Sequence, residues 1–182
     1  MQLIDVSIPS SPTAVGSASD GSNGFTALAG ACGVDVFVIG SSTYTIVASN
    51  DDNGVQLIDI STPSSPTAVG SASDDANGFT ELYSPRGVNT FVVGSNTYAI
   101  VASYEDKGVQ VIDVSIPSNP VAAGAANNDV GGFTALNGAN SVDNFRSRQL
   151  QLRNCHGQQR ESCAADRCER SADHHCSCDV LL

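Results

Sequence analysis

The sequence predicts an all-β fold built from tandem four-stranded antiparallel units, of which this chain holds only part. The first observation behind this prediction is a strict repeat, since Gln2, Gln56 and Gln110 open three copies of one motif 54 residues apart. The second is that each copy contains short β-rich segments and no helical period. A period of this length indicates supersecondary units that bury their apolar faces against one another.

The stretch from residue 87 to residue 126 shows the four predicted strands of one unit: 87–94, 97–103, 109–115 and 120–126. The fourth segment is rich in Ala and Gly, as expected of a strand at the edge of its sheet. Between the third and fourth segments, the two prolines of S-x-P-S-x-P enforce a turn. Four consecutive antiparallel strands form a β-propeller blade. The alternative is a β-solenoid, whose coils are usually shorter and stack one residue type in ladders.

The repeat register divides the chain into five parts. Residues 1–33 are the C-terminal half of a blade with a long loop, 34–87 and 88–140 are blades with long loops, and 141–145 are the first strand of the next blade. Met1 falls where Val55 and Val109 stand, so we expect the chain to start inside a repeat. Propellers close with four to eight blades, which predicts that further blades are missing at both ends.

Residues 146–182 differ sharply in composition and hold all three histidines and five of the six cysteines. A zinc or disulfide module is one interpretation, but no C-x-x-C pair is present. Permitted codons read one base later encode a peptide that contains QLIDVS at the place expected of the next repeat. We therefore predict a frameshifted, disordered tail, because the segment offers little apolar surface for burial.

The charge of the repeats limits the class of partner. Residues 1–145 are strongly acidic and contain Arg86 and Lys107 as their cations. Such a surface repels nucleic acid and anionic lipid. No window offers the eighteen or so consecutive apolar residues that cross a bilayer, so we expect no membrane insertion.

The motif VQLIDIS-x-P-S-x-P-x-x-V-G, which starts at Val55, and the segment TYAIVAS at 97–103 resemble the LVIVD repeat family. The resemblance covers residues 2–19, 34–73 and 88–126. It implies a β-propeller and a location that is extracellular or on the cell surface, and it implies no settled activity. This chain departs from shorter members by an insertion, S-x-S-D-x-x-x-G-F-T-x-L, which lengthens one loop in each blade.

Acidic residues concentrate in the loops after the second and fourth strands, which share one face of an antiparallel meander. Clustered carboxylates suit a hard cation such as calcium. The candidate metal ligands, all weak, are Asp51, Asp52, Asp74, Asp75, Glu105 and Asp106. No loop has the alternating D-x-D-x-D-G pattern, and acidic turns also keep a protein soluble. Apart from calcium, no cofactor is expected.

Nothing in the repeats predicts catalysis, because they contain no histidine and no nucleophile beside an obvious base. The repeated Asp5, Asp59 and Asp113 precede S-x-P and are predicted to cap their turns through backbone hydrogen bonds. The repeated phenylalanines are predicted to fold the long loop back onto its own blade. They are Phe25, Phe79 and Phe133.

We therefore expect a non-enzymatic binding module of a surface or secreted protein, with an unidentified protein or glycan as its partner and the acidic loop face as its binding surface. The alternative is a fragment of a propeller lactonase or hydrolase that uses cations held by the acidic loops. Convergence of His, Glu and Asp on the channel would favour that enzyme.

Overall fold

The computed structural model describes residues 1–145, and they form ten antiparallel strands. The strands are β1 (Gln2–Asp5), β2 (Thr13–Ser17), β3 (Ala31–Ile39), β4 (Ser42–Ser49), β5 (Gly54–Asp59), β6 (Thr67–Ser73), β7 (Pro85–Val93), β8 (Asn96–Ser103), β9 (Gly108–Asp113) and β10 (Val121–Asn127). No helix occurs in this part of the chain. The predictions for the tail fall on residues 146–182, outside the described residues.

The strands form three sheets in simple meander order. Strands β3 to β6 form the first blade, β7 to β10 form the second blade, and β1 and β2 form a two-stranded half-blade. In both blades the fourth strand lies at an edge, as the sequence predicted. These sheets are those of a partial β-propeller, so the predicted fold class is confirmed.

Central strands are apolar on both faces because both faces are covered. Strands β4 and β5 are buried over most of their length, whereas β6 at the edge is mostly exposed or half-buried. Ile46 and Leu57 of the first blade share one core with Val101 and Ile112 of the second, and all four side chains are fully buried. The blades therefore stabilise each other, as expected of a repeat array.

The first strands of the two blades are neighbours, which places β3 and β7 on the axial side of the array. Asp35 of β3 accepts hydrogen bonds from the backbone N–H and the hydroxyl of Thr90 in β7, each at 2.6 Å. Both strands begin before the predicted blade boundaries at residues 34 and 88, at Ala31 and Pro85.

Residues 141–145 were predicted as the first strand of a third blade, and the structure assigns no strand there. The segment nevertheless lies beside β7, since the Asn144 amide donates to the Thr90 carbonyl at 3.0 Å. A strand needs a ladder of backbone hydrogen bonds, and no strand of the described residues pairs with this segment.

Candidate functional site

Three long loops follow the fourth strands and form much of the face on which the acidic residues lie. They are the first long loop (residues 18–30), the second long loop (74–84) and the third long loop (128–140). We call the face made by these loops and by the turns after β4 and β8 the acidic loop face. The two sets of loops lie together, because Asp52 and Asp106 of the turns accept hydrogen bonds from the long loops.

A buried glutamine of each blade holds the long loop that precedes the blade. Gln56 is 1% exposed, and its Oε1 accepts the backbone N–H groups of Thr26 and Ala27 at 3.1 and 3.2 Å. Its Nε2 donates to the Gly70 carbonyl at 2.6 Å. Gln110 does the same for the second long loop. The repeated glutamine therefore joins successive repeats, because a buried amide must satisfy both its donor and its acceptor.

Three of the six candidate metal ligands accept hydrogen bonds from the backbone of the long loops. Asp74 accepts the Leu82 N–H at 3.0 Å within its own loop. Asp52 and Asp106 reach back from the following blade to accept the N–H groups of Ala29 and Tyr83, each at 2.7 Å. These carboxylates hold loop backbone, which is a structural role that sequence spacing alone did not reveal.

The other three candidates, Asp51, Asp75 and Glu105, accept no hydrogen bond from the described part of the chain. Among residues 1–145, no three His, Cys, Asp or Glu side chains converge as a group that could hold a metal ion. The structure therefore presents free carboxylates on the acidic loop face without a preformed cation cage.

Two carboxyls on this face have raised pKa values. Burial is the main cause of the raised pKa of Glu81, and the nearby Asp106 and Asp74 add like-charge repulsion. Burial likewise raises the pKa of Asp106, with further contributions from Asp74 and Asp75. Bonds from the Asn127 amide to Glu81, at 2.9 and 3.0 Å, partly offset the effect. Positive charge brought close to this cluster would be stabilised.

A cavity of about 390 Å³ opens at the axial end of this face, lined by Cys32, Asn50, Arg86 and Asn140. Cys32, Arg86 and Asn140 occupy the same position in successive repeats, so this position holds a different residue in each repeat. The Arg86 guanidinium lies over the Tyr104 ring at 4.0 Å and donates to Asn140 at 3.4 Å. Its Nε is buried without a partner among the described residues. A cation–π contact of this kind holds Arg86 in place at the cavity wall.

On the opposite face, the predicted aspartate caps are confirmed. Asp5, Asp59 and Asp113 each accept the backbone N–H of the serine two residues later, at 2.8 to 2.9 Å. Bonds from these serines hold the pKa of each aspartate below its ordinary value. The three residues therefore shape the turns before S-x-P.

The predicted position of the phenylalanines is wrong in one respect. Phe25 and Phe79 are each 2% exposed, but they pack between their own blade and the following one. Phe25 lies with Ala18 of its own repeat and with Val47 and Ile58 of the first blade. Phe133 is 49% exposed. The loop inserts into the next blade because that blade supplies the Gln and Asp acceptors for its backbone.

Sequence reasoning did not identify Arg86 as a residue of the candidate site. Arg86 is one of two cations in residues 1–145 and stands at a position that differs in each repeat. A position that varies among repeats of the same fold is not required for that fold and can be used for ligand binding. The rarity of cations and the variation at this position were therefore the signals in the sequence that could have identified Arg86.

The fold and the site define a class of protein: a repeat module with the architecture of a partial β-propeller and one acidic loop face. The LVIVD repeat model matches residues 1–20, 33–74 and 91–127, which is more than half of the chain. The chain therefore belongs to the LVIVD repeat family, and the predicted resemblance is confirmed. A comparison with curated proteins finds no match. In the described residues, no helix is long and apolar enough to span a membrane.

Proposed function

We propose that the chain is a non-enzymatic binding module of a surface or secreted protein. Its ligand, a protein or a glycan, would contact the acidic loop face. The observation that carries the proposal is the division of the candidate carboxylates. Asp52, Asp74 and Asp106 hold loop backbone, whereas Asp51, Asp75 and Glu105 project from the same loops without a partner in residues 1–145.

The axial cavity supports the same proposal. The framework side chains recur in each repeat with the same hydrogen bonds, but Cys32, Arg86 and Asn140 differ at one repeat position. A ligand that covers the cavity would meet the Arg86 guanidinium and the side-chain amides of Asn50 and Asn140. Such a lining suits a partner with both donors and acceptors, such as a glycan or a polar protein surface.

Calcium is the cation that this face would favour. The raised pKa values of Glu81 and Asp106 reflect burial first and repulsion by neighbouring aspartates second, and a divalent cation would relieve this repulsion. Calcium takes six to eight oxygen ligands. Because no preformed group of three ligands is present in the described residues, oxygens of the ligand would have to complete the coordination. We therefore propose that calcium strengthens ligand binding and binds weakly alone.

The proposal is tested with the full chain on glycan and protein arrays, with and without calcium. Asp51→Asn, Asp75→Asn and Glu105→Gln are combined in one variant. The matched control combines Asp5→Asn, Asp59→Asn and Asp113→Asn. This control removes the same charge from the opposite face, and each Asn oxygen still accepts the serine N–H. We expect the first variant to lose at least about tenfold in affinity, from several weakened polar contacts, and the control to bind as the unaltered chain does.

Equal loss in both variants would show that net charge, not the acidic loop face, governs binding. Lactone and aryl ester substrates are assayed with the same proteins and calcium. Cation-dependent turnover that is lost with Asp51→Asn, Asp75→Asn and Glu105→Gln would contradict the proposal and support the propeller hydrolase instead.

A further inference from the structure

Arg86 is a cation that the acidic repeats leave unpaired. Asp and Glu greatly outnumber Arg and Lys in residues 1–145, yet no carboxylate there forms an ion pair with its guanidinium. The guanidinium is held instead by the Tyr104 ring, 4.0 Å away, and by the Asn140 amide oxygen at 3.4 Å. It has five N–H donors and makes no other hydrogen bond in this part of the chain. A fixed guanidinium with unused donors suits an acceptor group supplied by a ligand.

The wall around Arg86 is formed where the two complete blades meet. Arg86 lies near the start of β7, and the Cys32 thiol of β3 donates to its backbone carbonyl at 3.5 Å. Asn50 follows β4, and its Nδ2 donates to the hydroxyl of Ser84, just before β7, at 2.6 Å. Side chains of the first blade are therefore tied to the start of the second. These contacts fix the geometry of the axial cavity.

The other polar groups of the wall are mostly donors as well. A guanidinium only donates, so its contact with the Asn140 Oδ1 leaves the Nδ2 of that amide, which has no partner within residues 1–145. Asn50 Nδ2 uses one of its two hydrogens on Ser84. The Cys32 thiol already donates to main-chain carbonyls at 3.3 to 3.6 Å. The cavity thus offers one positive charge and amide donors, and its described lining includes no carboxylate.

The size and polarity of the cavity indicate the kind of ligand. Its volume of about 390 Å³ lies within the range of small-molecule pockets, about 300 to 1,000 Å³. No large apolar side chain is among the described residues that line it, which favours a hydrophilic ligand. A guanidinium matches a carboxylate, and side-chain amides match hydroxyl groups. A sugar acid carries one carboxylate and several hydroxyls, whereas a polyanion would be repelled by the acidic loop face.

We propose that the axial cavity binds a single sugar acid, such as a uronic acid on a glycan. The Arg86 guanidinium donates to the carboxylate of the sugar, and the amides of Asn50 and Asn140 bind its hydroxyls. This assignment rests on the binding module proposed above and narrows its ligand to a glycan with an isolated acidic residue. A carboxylate on a protein ligand is the alternative that the experiment excludes.

Titration of the full chain with small probes, followed by NMR, tests the assignment. The probes are glucuronate, glucose and an aspartate blocked at both its amino and its α-carboxyl group. Glucose lacks the carboxylate, and the blocked aspartate carries a carboxylate without sugar hydroxyls. We expect glucuronate to bind at least about tenfold more tightly than either, because it alone satisfies both the guanidinium and the amides. Equal binding of glucose or of the blocked aspartate would overturn the proposal.

Arg86→Asn removes the guanidinium and introduces the residue that the next repeat carries at this position, Asn140, so the fold tolerates it. The matched control is Lys107→Gln, which removes the other cation of residues 1–145 from an exposed site. A second variant, Asn50→Asp, places a negative charge in the wall and still accepts the Ser84 hydroxyl proton. We expect Arg86→Asn and Asn50→Asp each to weaken glucuronate binding at least about tenfold, and the control to bind as the unaltered chain does.

Glucuronate binding that survives Arg86→Asn, or that falls equally with Lys107→Gln, would overturn the proposal. Its failure is distinguishable from failure of the binding module. Glycan or protein binding on arrays that depends on the carboxylates of the acidic loop face but is unaffected by Arg86→Asn would overturn the sugar-acid site alone. Glucuronate binding that requires Arg86, in a chain that binds nothing on the arrays, would support the site and contradict the module.

Discussion

The first and second long loops differ from the third in what holds them, although the phenylalanine motif is nearly the same in all three. Phe25 and Phe79 are buried, and their loops donate N–H groups to a glutamine and an aspartate of the following blade. Phe133 is half-exposed, and within residues 1–145 no glutamine or aspartate of a following blade accepts N–H groups of its loop. The loop sequence therefore specifies the local turn, whereas the next blade supplies the burial.

A blade and the long loop that precedes it therefore stabilise each other and form one cooperative unit. Energetic coupling then runs between nearest neighbours along the array, as in other repeat proteins. Substitutions at equivalent positions should therefore differ in cost according to whether residues 1–145 include a following blade.

The largest difference is expected for the phenylalanines. Phe79→Ala should lower the free energy of unfolding by about 3 to 5 kcal/mol, because it leaves a cavity between the blades. Phe133→Ala should change it by less than about 0.5 kcal/mol, since the ring is half in solvent. Urea denaturation of dilute protein measures both. Similar costs at the two positions would contradict the comparison.

The glutamines should differ next. Gln110→Ala removes the acceptor of the Thr80 and Glu81 N–H groups and a donor to the Gly124 carbonyl. Leaving buried backbone groups unsatisfied costs about 1 to 3 kcal/mol. Gln2→Ala removes exposed bonds and should cost under about 1 kcal/mol in dilute protein. Thermal unfolding of the two variants checks the order, and an equal loss in both would argue against coupling through this residue.

A third pair tests the packing of the S-x-P-S-x-P turn on the preceding blade. A Cβ at Gly70 would collide with the Pro117 carbonyl oxygen of the next blade, whereas a Cβ at Gly124 would enter open space. Gly70→Ala should therefore cost about 1 to 3 kcal/mol, and Gly124→Ala less than about 0.5 kcal/mol. The midpoints of denaturant unfolding of the two variants measure these costs. An unchanged midpoint for Gly70→Ala would mean that the turns do not pack as described.

The smallest effect concerns charge at the second long loop. The raised pKa of Glu81 means that the folded chain holds this proton more tightly than the unfolded chain does. Its contribution to stability is thus present below the ordinary pKa of 4.5 and lost as the pH rises through the folded value. Glu81→Gln should stabilise the protein at pH 7 by no more than about 0.5 kcal/mol. The gain should vanish in acid; a gain that persists below pH 4 or so would exclude ionisation as its cause.

Much of the fold could be predicted because the repeat carries it. The period located ten strands, and the position of Asp before S-x-P predicted its hydrogen bond to the serine N–H. The Ala/Gly-rich fourth segment predicted an edge strand. These features depend on local chemistry, which recurs with each copy.

The features that sequence reasoning missed depend on contacts between copies. The Thr80 N–H meets the Gln110 side chain across 30 residues, and nothing in either segment indicates that the loop belongs with the later blade. For the same reason, Asp52 and Asp106 resembled surface ligands rather than acceptors for a distant loop. The cavity beside Arg86 also forms where separate repeats meet. The positions of the strands within a repeat could be predicted from the sequence, whereas the contacts between repeats could not.

Hydrogen exchange of the backbone amides, followed by mass spectrometry on dilute protein, tests most directly whether the following blade holds each long loop. The segments to compare are residues 24–29, 78–83 and 132–137. We predict that the first two exchange at least about tenfold more slowly than the third, because their N–H groups are buried on Gln56 and Gln110. Equal protection of all three loops would contradict the account, since it would place the cause of their order in the loops themselves.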